Sequence, residues 1–210
     1  MDILGKLFGS PDKVKVMRLF ILNPEQTFAT KEVTKRSKIN SAVSRRELSL
    51  LSQIGLIKKV AGKKAGHWQL SPVFPFLSYL KGLLQIDLLT RQREITDRFA
   101  NCGKIKLLVI AGLFIETGDS RADLLLVGDR LKRGAIERAI KSMEAEVGRE
   151  LVYAVFETAD FLYRLNAYDK FIRDILDYPH ERIIDRLALP NTKANNWLST
   201  TVKSSNVAVV

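Results

Sequence analysis

Residues Thr30 to Val60 read TKEVTKRSKINSAVSRRELSLLSQIGLIKKV, and the spacing within them decides the fold. A helix is expected from Lys31 to Ser37, with Thr30 as its N-cap and Val33 as its main inward residue. Lys38-Ile39-Asn40 makes a tight connection. A further helix then runs from Ser41 to Ile54, where Ser44, Leu48, Leu51 and Ile54 recur at i, i+4, i+7 and i+10 on one buried face. Gly55 stands just past its end, where a left-handed residue is needed. Leu56 to Val60 and His67 to Leu70 then read as two short strands. The loop between them is bounded by glycines and carries Lys63 and Lys64 at its tip.

Upstream, Ser10-Pro11-Asp12 is a helix start, with a capping hydroxyl, a proline in the first turn and an acid at the positive end. Val14, Met17 and Ile21 form its apolar stripe, widened by Phe20, with Lys15 and Arg18 outside it. Asn23-Pro24 ends the helix. Downstream, residues 73–102 read as a helical connector, with sustained apolar periodicity from Tyr79 to Phe99. Lys104 to Phe114 and Ala122 to Val127 are nearly continuous apolar runs and read as buried strands. Leu131 to Val147 is an amphipathic helix, Glu150 to Phe156 a third strand, and Ala159 to Leu187 helical with a break near Tyr178-Pro179. The expected class is α+β, in two domains: 1–72, then a small α/β domain over 103–189, with a mobile tail at 190–210.

Bulk composition narrows the partners. The net charge is +11, and it is placed unevenly: residues 1–70 carry 14 Lys+Arg against 5 Asp+Glu, the other 140 carry 20 against 18. A basic front on a nearly neutral remainder is the footprint of a polyanion-binding module. The single cysteine, Cys102, excludes an intrachain disulfide framework and fits a reducing compartment. No secretory leader or membrane-length apolar run is legible, so a cytoplasmic location is expected.

The order helix, helix, turn, helix and basic hairpin, with Arg45-Arg46-Glu47-Leu48 and Gly55-Leu56-Ile57 leading into the hairpin, resembles the bacterial and archaeal winged-helix regulators over residues 8–72. Lys38 departs from the glycine common in that turn. The resemblance implies a recognition helix in the major groove of double-stranded DNA. Ser41, Ala42, Arg45, Arg46 and Ser49 would then face base edges, and Lys31, Lys35, Lys38, Lys63 and Lys64 would meet phosphates. His67 and Trp68 are expected to pack within the hairpin.

The stretch LLVIAGLFIETGDSRADLLLVGD, Leu107 to Asp129, resembles the minimal nucleotidyltransferase domains. Those carry a Gly-Ser after the first strand and an Asp-x-Asp at the second, where carboxylates hold divalent metal. Asp123 matches the second aspartate, but Arg121 stands in place of the first and Gly112-Leu113-Phe114 in place of the Gly-Ser element. The third strand offers no carboxylate, only Glu150 and Glu157 near its ends. No catalytic residue, metal or cofactor is therefore expected, and Asp123 reads as a local cap. His67, His180 and Cys102 form no ligand cluster by spacing. Winged helices fused to degenerate domains of this kind occur among prokaryotic regulators. The expectation is a homodimeric transcriptional regulator with a pairing or sensing domain, the helix around Tyr79 to Phe99 making the dimer contact; any small-molecule effector is left open. Its rivals are a metal-dependent nucleotidyltransferase targeted by the winged helix, and a winged-helix protein-docking module.

Overall fold

A computed structural model describes residues 3–60, 66–90, 92–115 and 120–190. The expected tail, and the hairpin tip with Lys63 and Lys64, lie outside the described residues. The architecture is α+β with two sheets, and the chain divides into two compact units. One comprises Met1–Thr90 with Ile140–Glu150, the other Arg91–Ala139 with Leu151–Val210. Among the described residues no helix is long and apolar enough to cross a membrane.

The first unit contains α1 (Ile3–Leu7), α2 (Pro11–Ile21), β1 (Thr27–Ala29), α3 (Thr30–Ser37), α4 (Ser41–Gln53), β2 (Ile57–Lys59), β3 (His67–Leu70) and α5 (Leu77–Thr90). The Ser10 side chain accepts from Lys13 N at 3.2 Å, and Pro11 opens α2, as the capping pattern predicts. The three strands form an antiparallel sheet in the order β1-β3-β2. Phe20 and Phe28 meet edge to face at 5.5 Å within a core that also holds Val33, Leu48, Leu51, Leu56, Ile57 and Trp68.

Three expectations for this unit are corrected. Arg18 is not outside the apolar stripe but 2 % exposed, because α2 is the central helix and is covered on more than one side. Its guanidinium forms a buried ion pair with Asp87 of α5 and donates to the Glu146 carbonyl at 3.1 Å. Thr30 is the first residue of α3, not its cap. Ala29 takes the cap position, and the Thr30 hydroxyl is spent on the hairpin instead. Ile54 is 59 % exposed, since α4 ends at Gln53 and the chain turns away at Ile54 and Gly55. The segment Tyr79 to Phe99 is helical as α5 and α6 (Gln92–Phe99), on either side of residue 91, which lies outside the described residues.

Residues 140–150 complete this unit. Asn23 Nδ2 donates to both Leu19 O and Gly148 O at 2.7 Å. The approach is close enough that a Cβ on Gly148 would lie 2.5 Å from Leu19 N.

The second unit contains α6, β4 (Lys104–Ile110), a short 3-10 turn (Gly112–Phe114), β5 (Leu124–Asp129), the start of α7 (Arg133–Val147), β6 (Tyr153–Glu157), α8 (Thr158–Asn166), α9 (Lys170–Asp177) and β7 (Glu181–Asp185). The sheet order is β6-β5-β4-β7; β5 and β6 run parallel, joined through α7, and the other pairs are antiparallel. Leu107 pairs with Val127 and Val109 with Leu125, and this face packs on Phe161, Ile172 and Ile175. Leu108, Ile110, Leu124 and Leu126 are buried on the opposite face, which is why both runs read as unbroken apolar sequence.

The segment Ala159 to Leu187 is not one broken helix. Tyr168 takes a positive φ between α8 and α9, Asp169 caps α9 through Phe171 N and Ile172 N, and Glu181–Asp185 becomes an edge strand on β4. The first apolar run leaves strand geometry at Ile110, earlier than Phe114, because Gly112–Phe114 turns.

Candidate nucleic-acid interface

The turn between α3 and α4 is built by Lys38 and Asn40. Lys38 holds the left-handed conformation at φ 50° and ψ 43°, which lets Ile39 N reach Thr34 O at 3.3 Å. Ile39 tucks in at 8 % exposure, and Lys38 is left facing solvent. Asn40 then caps α4, its side chain accepting from Ala42 N at 2.8 Å. Ser37 and Ser44 are buried, small residues on the two helices.

At about 100° per residue, Ser44, Glu47, Leu48 and Leu51 of α4 fall on one arc and are all buried. Ser41, Ala42, Arg45, Arg46 and Ser49 fall on the complementary arc and are all exposed. Among the described residues no acid restrains Ser41, Ala42, Arg45 or Ser49, which stand toward solvent. Arg46 differs: its Nε and Nη2 donate to Glu47 Oε1 at 3.3 and 2.8 Å. Glu47 is itself 1 % exposed, with Lys13 Nζ 4.0 Å from its other oxygen. Arg46 is thus anchored to the helix that carries it, and Arg45 is the guanidinium at the centre of the exposed arc.

Lys31 and Lys35 are exposed on α3. Arg36, on the same helix, is occupied by ion pairs to Glu32 and Glu150 and lies over the Phe28 ring at 5.3 Å. Two cations not singled out from the pattern join the group: Lys58 and Lys59, exposed on β2. Lys59 Nζ stands 5.5 Å from the Trp68 ring centroid. Their signal was present as two consecutive lysines, but strand alternation predicts one of them inward. Trp68 is 9 % exposed and donates to Thr30 Oγ1 at 3.1 Å, and Thr30 N and Oγ1 both bond to Gly66 O. The base of the hairpin is thereby fastened to the start of α3.

In the second unit, Asp123 is committed to the backbone. Its Oδ1 accepts from Leu113 N at 2.7 Å and its Oδ2 from Val152 N at 2.9 Å. Gly112 has φ +50°, and a Cβ there would lie 2.5 Å from Asp123 Oδ1, so glycine and aspartate fit each other as a structural pair. Arg121 turns away to Asp174 at 3.1 Å. Glu157 Oε1 lies 3.4 Å from Leu131 N, and Glu150 belongs to the other unit.

Among the described residues no group of three or more His, Cys, Asp or Glu side chains could hold a metal. Cys102 is buried, and burial pushes its thiol above the ordinary value, against the pull of Arg138 and Lys132. His180 is fully buried, with Nδ1 2.9 Å from the Tyr178 carbonyl.

Comparison of the chain with protein-family models, curated proteins and solved structures returns no match.

Proposed function

We propose that this protein is a cytoplasmic, sequence-reading DNA-binding regulator that uses α4 as its recognition helix. The single observation that carries this reading is the division of α4 into a buried arc and an exposed arc of Ser41, Ala42, Arg45, Arg46 and Ser49, set behind an Asn40 cap. Hydroxyl, methyl and guanidinium groups on one face are the side chains that address base edges in a major groove. Exposed Lys31, Lys35 and Lys38 on one side and Lys58 and Lys59 on the other are suited to the flanking phosphates. The element order of α2, α3, α4 and the β2–β3 hairpin supports the resemblance to winged-helix regulators.

The second unit is read as a nucleotidyltransferase-like domain without transferase chemistry, serving pairing or sensing. The order strand, strand, helix, strand, helix supports the likeness, and the engagement of both Asp123 oxygens by backbone amides supports the structural role.

The test is selection from a genomic DNA fragment pool, followed by titration of the enriched site at several salt concentrations. Arg45→Ala is expected to weaken specific binding by about 1–3 kcal/mol and to relax preference at one base position. Lys35→Ala is expected to weaken all sequences alike and to lower the salt slope by about one. No enriched site, or an enriched site indifferent to Arg45→Ala, overturns the reading.

A further inference from the structure

We infer that the outer face of α5 is a self-complementary docking surface for a second copy of this chain, paired antiparallel about a two-fold axis between Gly82 and Leu83. This deepens the regulator reading, which expects two reading heads on one site, yet it stands on observations of its own.

Phe76, Tyr79, Leu83 and Ile86 recur at i, i+3, i+7 and i+10 along one face and are 62, 77, 37 and 61 % exposed. The charged residues of α5 do not interrupt them: Asp87 is buried against Arg18, and Lys81 lies about 180° round the helix from the stripe. An uncharged apolar face on a domain this basic is a surface two copies can share without like-charge repulsion.

Gly82 is the second observation. A glycine inside a helix weakens it relative to alanine, and the described residues do not require one here: a Cβ at Gly82 would meet none of their atoms within 4 Å. The space it leaves lies beside the stripe, where a second helix can approach closely. In an antiparallel pair centred between residues 82 and 83, Gly82 stands opposite the partner's Leu83, and Tyr79 opposite the partner's Ile86. Each hollow meets a knob, and the two-fold supplies both at once.

If a large apolar side chain offers about 200 Å², the four exposed residues present on the order of 450 Å² per copy. That is comparable with the largest apolar patch of a typical monomer and about half of one partner's share in a standard interface. A pair of this size exchanges in the micromolar range rather than being permanent.

The experiment uses the full chain without DNA. Sedimentation across 1–100 µM, a range set on the order of such weak interfaces, is expected to show a monomer–dimer equilibrium that Leu83→Lys shifts to monomer with the far-ultraviolet circular dichroism unchanged. In a Cys102→Ser background, Leu83→Cys is expected to form a disulfide-linked dimer on mild oxidation. Phe76→Cys is expected not to, because two copies of residue 76 would lie about 20 Å apart along the pair. A monomer throughout, an unchanged dimer in Leu83→Lys, or equal cross-linking at residues 76 and 83 overturns the proposal. Arg45→Ala serves as the control that separates the two readings. It is expected to keep the dimer, so loss of pairing and loss of DNA reading can fail independently.

Discussion

Removing Asp87 should unfold the first unit more readily than any surface substitution, and the reason is the burial of its partner. Arg18 and Asp87 are 2 and 8 % exposed, and the guanidinium also holds the Glu146 carbonyl. Asp87→Ala takes a carboxylate partner from a desolvated cation, which costs about 3–5 kcal/mol where one member of a buried pair is lost. With a urea dependence of about 2 kcal/mol per molar, the midpoint of the first unit falls by roughly 2 M. Arg18→Met costs a similar amount by removing the guanidinium that the buried carboxylate is paired with. The double replacement Arg18→Met/Asp87→Leu removes both charges and is expected to recover most of the loss, since apolar isosteres of buried pairs are often neutral or better. Trp68 supplies the readout because it lies in the core of this unit. The other tryptophan is silenced by Trp197→Phe, and fluorescence is followed through urea titration of all four proteins. A single substitution costing less than about 1 kcal/mol would refute the reasoning. So would a double variant as unstable as the sum of the singles.

Two further predictions concern the second unit. Burial holds the His180 imidazole below its ordinary value, aided by Arg182 and opposed by the Tyr178 carbonyl and Asp177. The stability this contributes is complete above the unfolded value of about 6.5 and is lost as pH falls from there through the folded value; urea midpoints should therefore decline as pH falls below about 6.5 in the native chain and decline less in His180→Gln, and equal slopes would show another group responsible. Gly112→Ala should destabilise strongly in the native background but only by about 1–2 kcal/mol, the left-handed backbone cost, when Asp123 is also alanine; an equal loss in both backgrounds, by thermal melting, would show that the Asp123 carboxylate is not what the new methyl meets.

Features written in consecutive residues were legible in advance. The Ser10-Pro11-Asp12 start, the Lys38 turn, the Gly55 stop and the unbroken apolar runs of β4 and β5 each depend on neighbours a few positions away. What escaped depends on residues distant in the chain. Arg18 was placed outside the stripe because a charge in a helical pattern defaults to solvent, and its partner lies 69 residues on. Thr30 has the chemistry of a cap, but Gly66 and Trp68 compete for its hydroxyl. β1 and β7 span 3 and 5 residues and pair with β3 and β4, roughly 40 and 75 residues away in the chain. Within the candidate interface the buried arc of α4 followed from periodicity except at Ile54, and the outward residues rest on the winged-helix resemblance. The anchoring of Arg46 followed from neither, because adjacent residues on a helix do not face one another and the bond to Glu47 is made by a long side chain folding back.

The first unit's dependence on Ile140–Glu150 has a consequence for how the protein is made. When a ribosome has synthesised Thr90, helices α1 to α5 and the hairpin are complete in sequence, but Arg18 and Asn23 still lack the carbonyls of Glu146 and Gly148. At about 5–20 residues per second, the intervening stretch takes several seconds to emerge. Throughout that interval the surface of α2 that will receive the strap stays open to water, chaperones and neighbouring nascent chains. A gene cut after residue 90 makes that interval permanent.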